Sequence, residues 1–519
     1  VTPWLAVALV ASAMLADDRT IRALHMFQMD SYSASRYVKW LLAKPFERAV
    51  DLIAVIAALV ILALSYFAPA AVLLWAAVCG FLWYRRDKTP PKKPLDLTAR
   101  AKRILFASRM LMVFTGFALV FLMGNVLAVL LFIHLAPAAT VVANVLLKPV
   151  QAHINRGFVI AAEKKMRELK PLVIGVAGSY GKTSTKYFID TLLLERFRTL
   201  KTPGNVNTQL GVTRIVNETL TAQHEVFIVE MGAYQRGDVK DVADIVHPKI
   251  GIITSIGPEH WERFKTFDNI ERTNYEVIDP LPKDGLALFN CENEHCRKLA
   301  DQTKHTRVIR YALTGGDIWA EEIVHSVEGM SFTIVTKAGQ RIPAACELVG
   351  RHNVLNILGA AAIALDLGLT PEEITRGVSK LKSAPNRLEV KKGQGGTTIL
   401  DDSYNSNPIG AAEALHVLSQ YTTGKRVLVT PGMIELGDLH QEKNEELGRL
   451  AATSCDHVFL VGPEQTRPIA KGLRSASFPE ERIHIVKDLQ EATTMFAKLL
   501  RPGDVILFEN DLPDLYTEK

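Results

Sequence analysis

The sequence is poor in cysteine, with only Cys79, Cys291, Cys296, Cys346 and Cys455 in 519 residues. These five form no CxxC pair and no zinc-type spacing, which excludes a disulfide framework and a cysteine-built metal finger. They read as reduced thiols of a cytoplasmic domain, with Cys79 inside an apolar run. An excess of one charge is also lacking, since the net charge is +5. No stripe of Lys and Arg interleaved with aromatics marks the C-terminal part, so nucleic acid is not an expected partner. The lone apolar core and cleavage site of a signal peptide are missing too; several apolar stretches stand there instead.

Those stretches dominate the first 150 residues. Runs at 49–68, 70–84, 104–123 and 126–147 follow a first one at 4–16, WLAVALVASAMLA. The chain opens on Val1, so that first run is expected to be truncated. A spanning helix needs about 20 apolar residues. Three runs reach this length; 70–84 is shorter, and Pro69 predicts a tight hairpin before it. The segment 85–103 holds eight Lys/Arg against two Asp, and 17–48 holds six Lys/Arg. Both are expected on the cytoplasmic side. Four or five spans are expected in a multi-pass region of the cell (plasma) membrane; with five, the N-terminus lies outside and everything after residue 150 in the cytoplasm. The segments 32–42 and 152–169 are amphipathic and suit a lipid surface, although 152–169 suits a solvated linker helix equally well. Buried helices of a large soluble protein are the plainer alternative, which the charge asymmetry opposes.

From residue 171 short β-rich runs alternate with helical stretches. The first series is 172–177, a helix from Lys182, then 226–230, 249–254 and 286–290. A second comprises 397–402, 426–432, 457–462 and 504–509, with an apolar helix at 352–368 between the two. Such alternation predicts parallel sheets flanked by helices. The expected fold is an N-terminal α-helical transmembrane region plus two α/β domains, the central one with a parallel sheet and the C-terminal one Rossmann-like. The expected boundaries are 1–150 for the membrane region, 151–170 for an amphipathic linker, 171–384 for an ATP-binding domain and 385–519 for the last domain.

The stretch VIGVAGSYGKTSTK (173–186) runs from a predicted strand through a turn into a predicted helix. Glycines let backbone N–H groups approach phosphate oxygens, and a helix N-terminus adds favourable partial charge. In such a loop Gly178, Ser179, Tyr180, Gly181, Lys182, Thr183 and Ser184 cradle phosphates, Lys182 reaches the β/γ-phosphates and Thr183 binds Mg²⁺. Val176 stands where a strict GxxxxGK[ST] pattern has its first glycine. Gly-Lys-Thr alone is common by chance; the strand before it and the helix after it carry the assignment.

The shorter loop GxxGKTST resembles that of the Mur ligases, the ATP-dependent amide ligases of peptidoglycan precursor synthesis. Further resemblances follow in order: VEMGAYQRGDV (229–239), ITSIGPEHWERF (253–264), GRHNVLNILGAAA (350–362), NRLE (386–389), DDSYNSNP (401–408) and GMIELG (432–437). They cover about 171–510, and the last two most resemble the branch that adds D-alanyl-D-alanine to a UDP-linked tripeptide. The resemblance implies ATP and Mg²⁺ as cofactors, with Glu230 on Mg²⁺, His260 at a second metal and Asn353 on the nucleotide. It further implies Arg387 on the γ-phosphate and Asp402 at the ribose, with Tyr404 and Asn407 nearby. Lys182, Glu230, His260 and Arg387 are then the catalytic group, and Thr183, Glu230 and His260 the metal ligands. Without the family, Glu230 reads equally as an exposed carboxylate and His260 as a structural histidine. The implied partners are a peptidoglycan-precursor-like peptide acceptor, an amino acid or dipeptide, and the lipid bilayer. Because Lys182 and Asp402 lie in different domains, the two are expected to close on ATP.

Three departures stand out. Asn274, in IERTNYE (270–276), occupies the place of a lysine that many family members carbamylate, which leaves its carbonyl as a metal or water ligand. FENDLPDLY (508–516) replaces a KGS-type segment and is expected to treat an anionic substrate differently. Membrane-like sequence stands in place of the small domain that grips the UDP-sugar, which suggests a lipid-linked acceptor. The alternatives are a MurT-like or poly-γ-glutamate synthase-like membrane ligase, a nucleotide-regulated transporter, and a pseudoenzyme scaffold. Against the transporter, charge within the spans is limited to Asp51, Arg109 and His134.

Overall fold

A computed structural model describes residues 3–29, 32–42, 45–65, 67–85, 94–123 and 135–511. The chain forms two compact units, Val1–Arg156 and Gly157–Lys519. In the first, helices span Pro3–Met29, Ala34–Leu42, Pro45–Ser65, Val72–Tyr84 and Ala99–Met123, and a longer helix, Ala136–Leu169, begins there. The first helix differs from expectation, because the apolar run 4–16 continues as helix through Asp17, Asp18, Arg19 and Arg22. The Arg22–Asp18 pair at 2.9 Å supports that continuation one turn apart. Likewise, one helix runs through Pro149, where a span and a separate linker were expected. Residues 86–93, 124–134 (with His134) and 512–516 lie outside the described residues.

Inside this unit the indole of Trp75 donates to Ser12 Oγ at 2.9 Å, with both side chains buried. Arg109 forms a two-pronged ion pair with Asp17, at 2.8 and 3.0 Å. Apolar side chains face outward in quantity, including Phe114, Phe117 and Phe121. Among the described residues one helix segment, Ala99–Leu122, is long and apolar enough to cross a membrane, and Leu52–Ile61 and Leu73–Tyr84 are shorter apolar segments.

The second unit carries two sheets. The first contains β1 (Leu172–Ala177), β2 (Thr199–Lys201), β3 (Val226–Glu230), β4 (Ile250–Ile253), β5 (Leu286–Asn290), β6 (Arg307–Tyr311), β7 (Ile318–Ser326), β8 (Gly329–Thr336) and β9 (Arg341–Cys346). Their order is β2-β3-β1-β4-β5-β6-β7-β8-β9. Pairing is parallel from β2 to β7, but β7-β8-β9 is an antiparallel meander, so the expected parallel sheet is mixed. The cause is local: only Val327 and Glu328 separate β7 from β8, too short for a parallel crossover. The helices Lys182–Leu193 and His352–Asp366 pack on one face of the sheet; Met231, Val277 and Phe289 are buried on the other.

The second sheet contains β10 (Glu389–Lys392), β11 (Thr398–Asp402), β12 (Arg426–Thr430), β13 (His457–Val461), β14 (Ile483–Val486) and β15 (Val505–Glu509), in the order β10-β11-β15-β12-β13-β14. Here β10 is antiparallel to β11, and the rest are parallel. In the first sheet β1 lies between β3 and β4, so the connections leave it to opposite sides. Ligands of open α/β sheets bind beyond the carboxyl end of such a switch-point strand. The glycine-rich loop begins there.

Candidate active site

Gly178 leaves β1 at φ +133, and a Cβ at this position would lie 2.3 Å from Thr254 Oγ1, so a side chain is excluded on both counts. The loop is tied down at several points. Ser179 N donates to Ser255 O at 2.6 Å, and Thr254 Oγ1 donates to Tyr180 O at 2.5 Å. Asn274 closes the set, because its Oδ1 accepts from Gly178 N at 2.8 Å while its Nδ2 donates to Ile270 O at 2.9 Å. The Asn274 carbonyl, expected as a metal or water ligand, is thus committed to the loop backbone. Burial pushes the Tyr180 phenol well up, and its hydroxyl has no hydrogen-bond partner among the described residues.

Gly181, at φ +82, precedes the helix that starts at Lys182. The Lys182 ammonium donates to Gly178 O at 2.6 Å, Ser179 O at 2.8 Å and Glu259 Oε2 at 3.0 Å. Thr183 and Ser184 are half-buried in the first helical turn. Behind them, Thr185 Oγ1 donates to Asn356 Oδ1 at 3.1 Å, and Asn356 Nδ2 donates to Asn353 Oδ1 at 3.3 Å. Asn353 is therefore buried under the loop, in the helix His352–Asp366.

Glu230 ends β3 and is buried. Its Oε2 accepts from Lys186 Nζ at 2.9 Å and its Oε1 from Asn207 Nδ2 at 3.1 Å. Burial pushes the Lys186 ammonium down, and the Glu230 charge opposes that shift. His260 takes a left-handed backbone conformation at φ +49 and rests on the Tyr234 ring, with centroids 4.4 Å apart. Its Nδ1 meets the Glu435 carboxylate, which comes from the other lobe. Burial raises the Tyr234 phenol to about 12, with help from Glu259.

In the C-terminal lobe the Arg387 guanidinium lies 4.0 Å from the Tyr404 ring centroid. The Tyr404 hydroxyl accepts from Asn205 Nδ2 of the central lobe. Asp402 Oδ1 accepts from Leu388 N at 3.0 Å, which fixes the turn that carries Arg387. Asp402 sits opposite Glu509 in the register of β11 and β15. Burial raises both carboxyls; the Asp402 charge raises Glu509 further, while Arg387 opposes the rise in Asp402. Glu509 Oε1 accepts from Ser406 Oγ at 2.5 Å, so the first acid of FENDLPDLY faces the interior rather than a substrate. Asn407 accepts from Gly410 N at 2.9 Å and caps the helix Pro408–Ser419.

Of the expected metal ligands, Thr183 is half-buried in the first helical turn, Glu230 is buried at the end of β3, and His260 is held by Glu435. Both Glu230 oxygens are engaged, and no group of three His, Cys, Asp or Glu converges among the described residues. Mg²⁺ is ordinarily held by one or two carboxylates together with phosphate oxygens and water, so Thr183 and Glu230 would be the groups to hold it beside a bound nucleotide. Glu259, Lys186, Asn207, Tyr234, Asn205 and Glu435 were not read from the sequence as site residues. Their only signal was proximity to the motifs: Lys186 follows Lys182 by one helical turn, and Glu259 precedes His260.

The Mur ligase middle domain matches residues 176–364, and the Mur ligase, glutamate ligase domain matches 386–509. A UDP-N-acetylmuramoyl-tripeptide–D-alanyl-D-alanine ligase of Treponema pallidum is 31% identical over 339 residues, covering 64% of this chain and 70% of that protein. The chain belongs to the Mur ligase family. This Mur ligase is accordingly an ATP-dependent amide ligase. The Bacillus subtilis enzyme of the same name is 29% identical over 351 residues, 67% of this chain and 75% of its own length. Among solved structures, MurF from Acinetobacter baumannii superposes with a TM-score of 0.63 at 27% identity, covering 70% of this ligase and 78% of that chain. MurF from Thermotoga maritima in complex with ADP, at 24% identity and a TM-score of 0.62, shares the fold over 70% of this chain and 81% of its own.

Proposed function

We propose that this ligase is of the MurF type and joins a peptide carboxylate to an amino acid or dipeptide amine, with D-alanyl-D-alanine the first candidate. The observation that carries this reading is the meeting of the two lobes around the loop. Lys182 lies in one, Arg387 and Tyr404 lie in the other, and Asn205 joins Tyr404 across the gap. The acceptor carboxylate attacks the γ-phosphorus of ATP, and the bond to the ADP oxygen breaks, giving acyl phosphate and ADP. The incoming amine then attacks the acyl carbon, loses a proton, and phosphate leaves as the amide forms. Lys182 and Arg387 supply positive charge to the phosphoryl oxygens while backbone N–H groups of the loop orient them. Such transfer depends chiefly on position and charge.

The acceptor reading goes further than the relatives' names. Upstream of β1 the described residues form only helices, and their outer surface is apolar at Phe114, Phe117 and Phe121. This supports a multi-pass anchor in the cell membrane, with residues 171–384 and 385–519 as catalytic domains in the cytoplasm. A lipid-linked peptide acceptor, confined to the same surface, would be met at high effective concentration without a UDP-gripping domain.

Mass spectrometry of products tests both parts. Detergent-purified protein receives ATP, Mg²⁺ and D-alanyl-D-alanine with UDP-linked or lipid-linked tripeptide, and Lys182→Ala serves as control. Ligation to the lipid-linked acceptor alone supports the full reading. Ligation to the UDP-linked acceptor alone removes the lipid part, and ADP release without amide removes the named amine.

A further inference from the structure

Lys182 has three N–H donors, and all three are used: by Gly178 O, by Ser179 O and by Glu259 Oε2. The first two acceptors are carbonyls of the loop itself. They are held in place because Gly178 N is fixed by Asn274, and Ser179 both by Ser255 O and by its hydroxyl, which donates to Gly257 O at 3.0 Å. The third is a side chain on the turn Gly257–His260. Glu259 is also the more exposed partner, at 21% of its side chain against 10% for Lys182. A carboxylate oxygen on this ammonium stands where a nucleotide phosphate oxygen would be received. Whatever binds Lys182 must therefore displace Glu259.

We propose that Glu259 is an internal competitor for the phosphate-binding lysine, holding Lys182 when nucleotide is absent and giving it up when a nucleoside triphosphate arrives. The inference rests on the reading of Lys182 as the phosphate lysine. Local geometry provides the released carboxylate with a place to go. Its Oε1 already lies 3.9 Å from His260 Nε2, and the opposite ring nitrogen of His260 is held by Glu435. The ion pair keeps a buried cation satisfied when no nucleotide is bound, at the expense of nucleotide affinity. An unpaired ammonium there would leave an uncompensated charge in a largely desolvated position.

The sign of the expected effect separates this role from a merely structural one. Nucleotide binding is measured by calorimetry on the full chain in detergent, with a non-hydrolysable ATP analogue plus Mg²⁺ as the probe. Glu259→Gln and Glu259→Ala are both expected to bind the analogue about tenfold more tightly than wild type. In a Lys182→Met background, which itself binds weakly, Glu259→Gln is expected to change affinity by less than about twofold. Weaker binding by the Glu259 variants overturns the proposal and makes Glu259 a group that helps to hold the nucleotide or its cation. An equal gain in both backgrounds also overturns it, as simple repulsion between carboxylate and phosphate. If Lys182→Met alone binds like wild type, the phosphate-lysine reading fails and the competitor role falls with it.

Discussion

The His260 imidazole and the Glu435 carboxylate, 175 positions apart in sequence, meet across the boundary between the two lobes. The contact is reinforced by Trp261 Nε1, which donates to Asp438 Oδ1 at 2.9 Å, and it sits one residue from the carboxylate that holds Lys182. The link between the lobes is therefore built from the same turn that pairs with Lys182.

Removing this link should act on turnover more than on nucleotide binding. Glu435→Ala leaves the glycine-rich loop intact but loosens the approach of Arg387 and Tyr404. We expect about a tenfold fall in kcat, equivalent to ~1.4 kcal/mol in the barrier, with less than a threefold change in KM for ATP. Steady-state ADP release measures both.

Asn274→Ala should raise KM for ATP by about tenfold. The variant leaves Gly178 N–H without its partner in a buried position, and such orphaned groups cost about 1–3 kcal/mol. Asn274→Asp keeps the acceptor but adds negative charge beside the glycine-rich loop proposed to receive phosphates, and should fare no better. Initial rates over a range of ATP concentrations decide.

Lys186→Met should destabilise the fold by about 3–5 kcal/mol, because it strands the Glu230 carboxylate in a buried site. The double variant Lys186→Met with Glu230→Gln should regain most of that loss, since neither charge then remains. Urea unfolding of the four proteins of the cycle gives the coupling. Equal destabilisation in the single and double variants contradicts the pairing.

Glu509 predicts a pH dependence. Burial and the Asp402 charge raise its carboxyl well above the ordinary value of 4.5. A carboxyl raised on folding contributes stability that is complete below that ordinary value and is lost as pH rises through the folded value. Glu509→Gln, which cannot ionise, should therefore gain stability relative to wild type as pH rises above the ordinary value of 4.5. Thermal unfolding followed from acid to neutral and alkaline pH should show the two curves diverging as pH rises.

Phe117→Arg should impair membrane integration. Phe117 is 73% exposed about three-quarters of the way along the apolar segment Ala99–Leu122, while Ser108 and Met112 of the same helix are buried. An arginine at the centre of a spanning helix costs about 2.5–3.5 kcal/mol, and off the centre, as at residue 117, somewhat less. The share of protein resisting carbonate extraction from membranes should fall, and Met112→Leu should leave it unchanged.

Much of the architecture was legible because it rests on local pattern. The runs 172–177, 226–230 and 286–290 coincide residue for residue with β1, β3 and β5, since buried parallel strands are continuous apolar segments bounded by breakers. The meander β7-β8-β9 was not read, because its strands alternate buried and exposed residues and resemble the polar connections around them. In the N-terminal part, hydropathy located the apolar segments but not the helix ends. The charged turn at Asp17–Arg22 extends a helix when its ions pair one turn apart, and hydropathy alone registers only a break.

The sequence by itself determined the family and the glycine-rich loop between β1 and its helix, because those depend on glycines, a lysine and strand–helix alternation at fixed short spacings. Only the tertiary structure decided what those residues do to one another. It joined Glu230 to Lys186, Asn274 to Gly178, Lys182 to Glu259 and Asp402 to Glu509. Each of these depends on side chains meeting at the carboxyl ends of strands or across two lobes. Burial and charge there reflect which groups the fold brings within 3 Å or so, and no spacing along the chain encodes that.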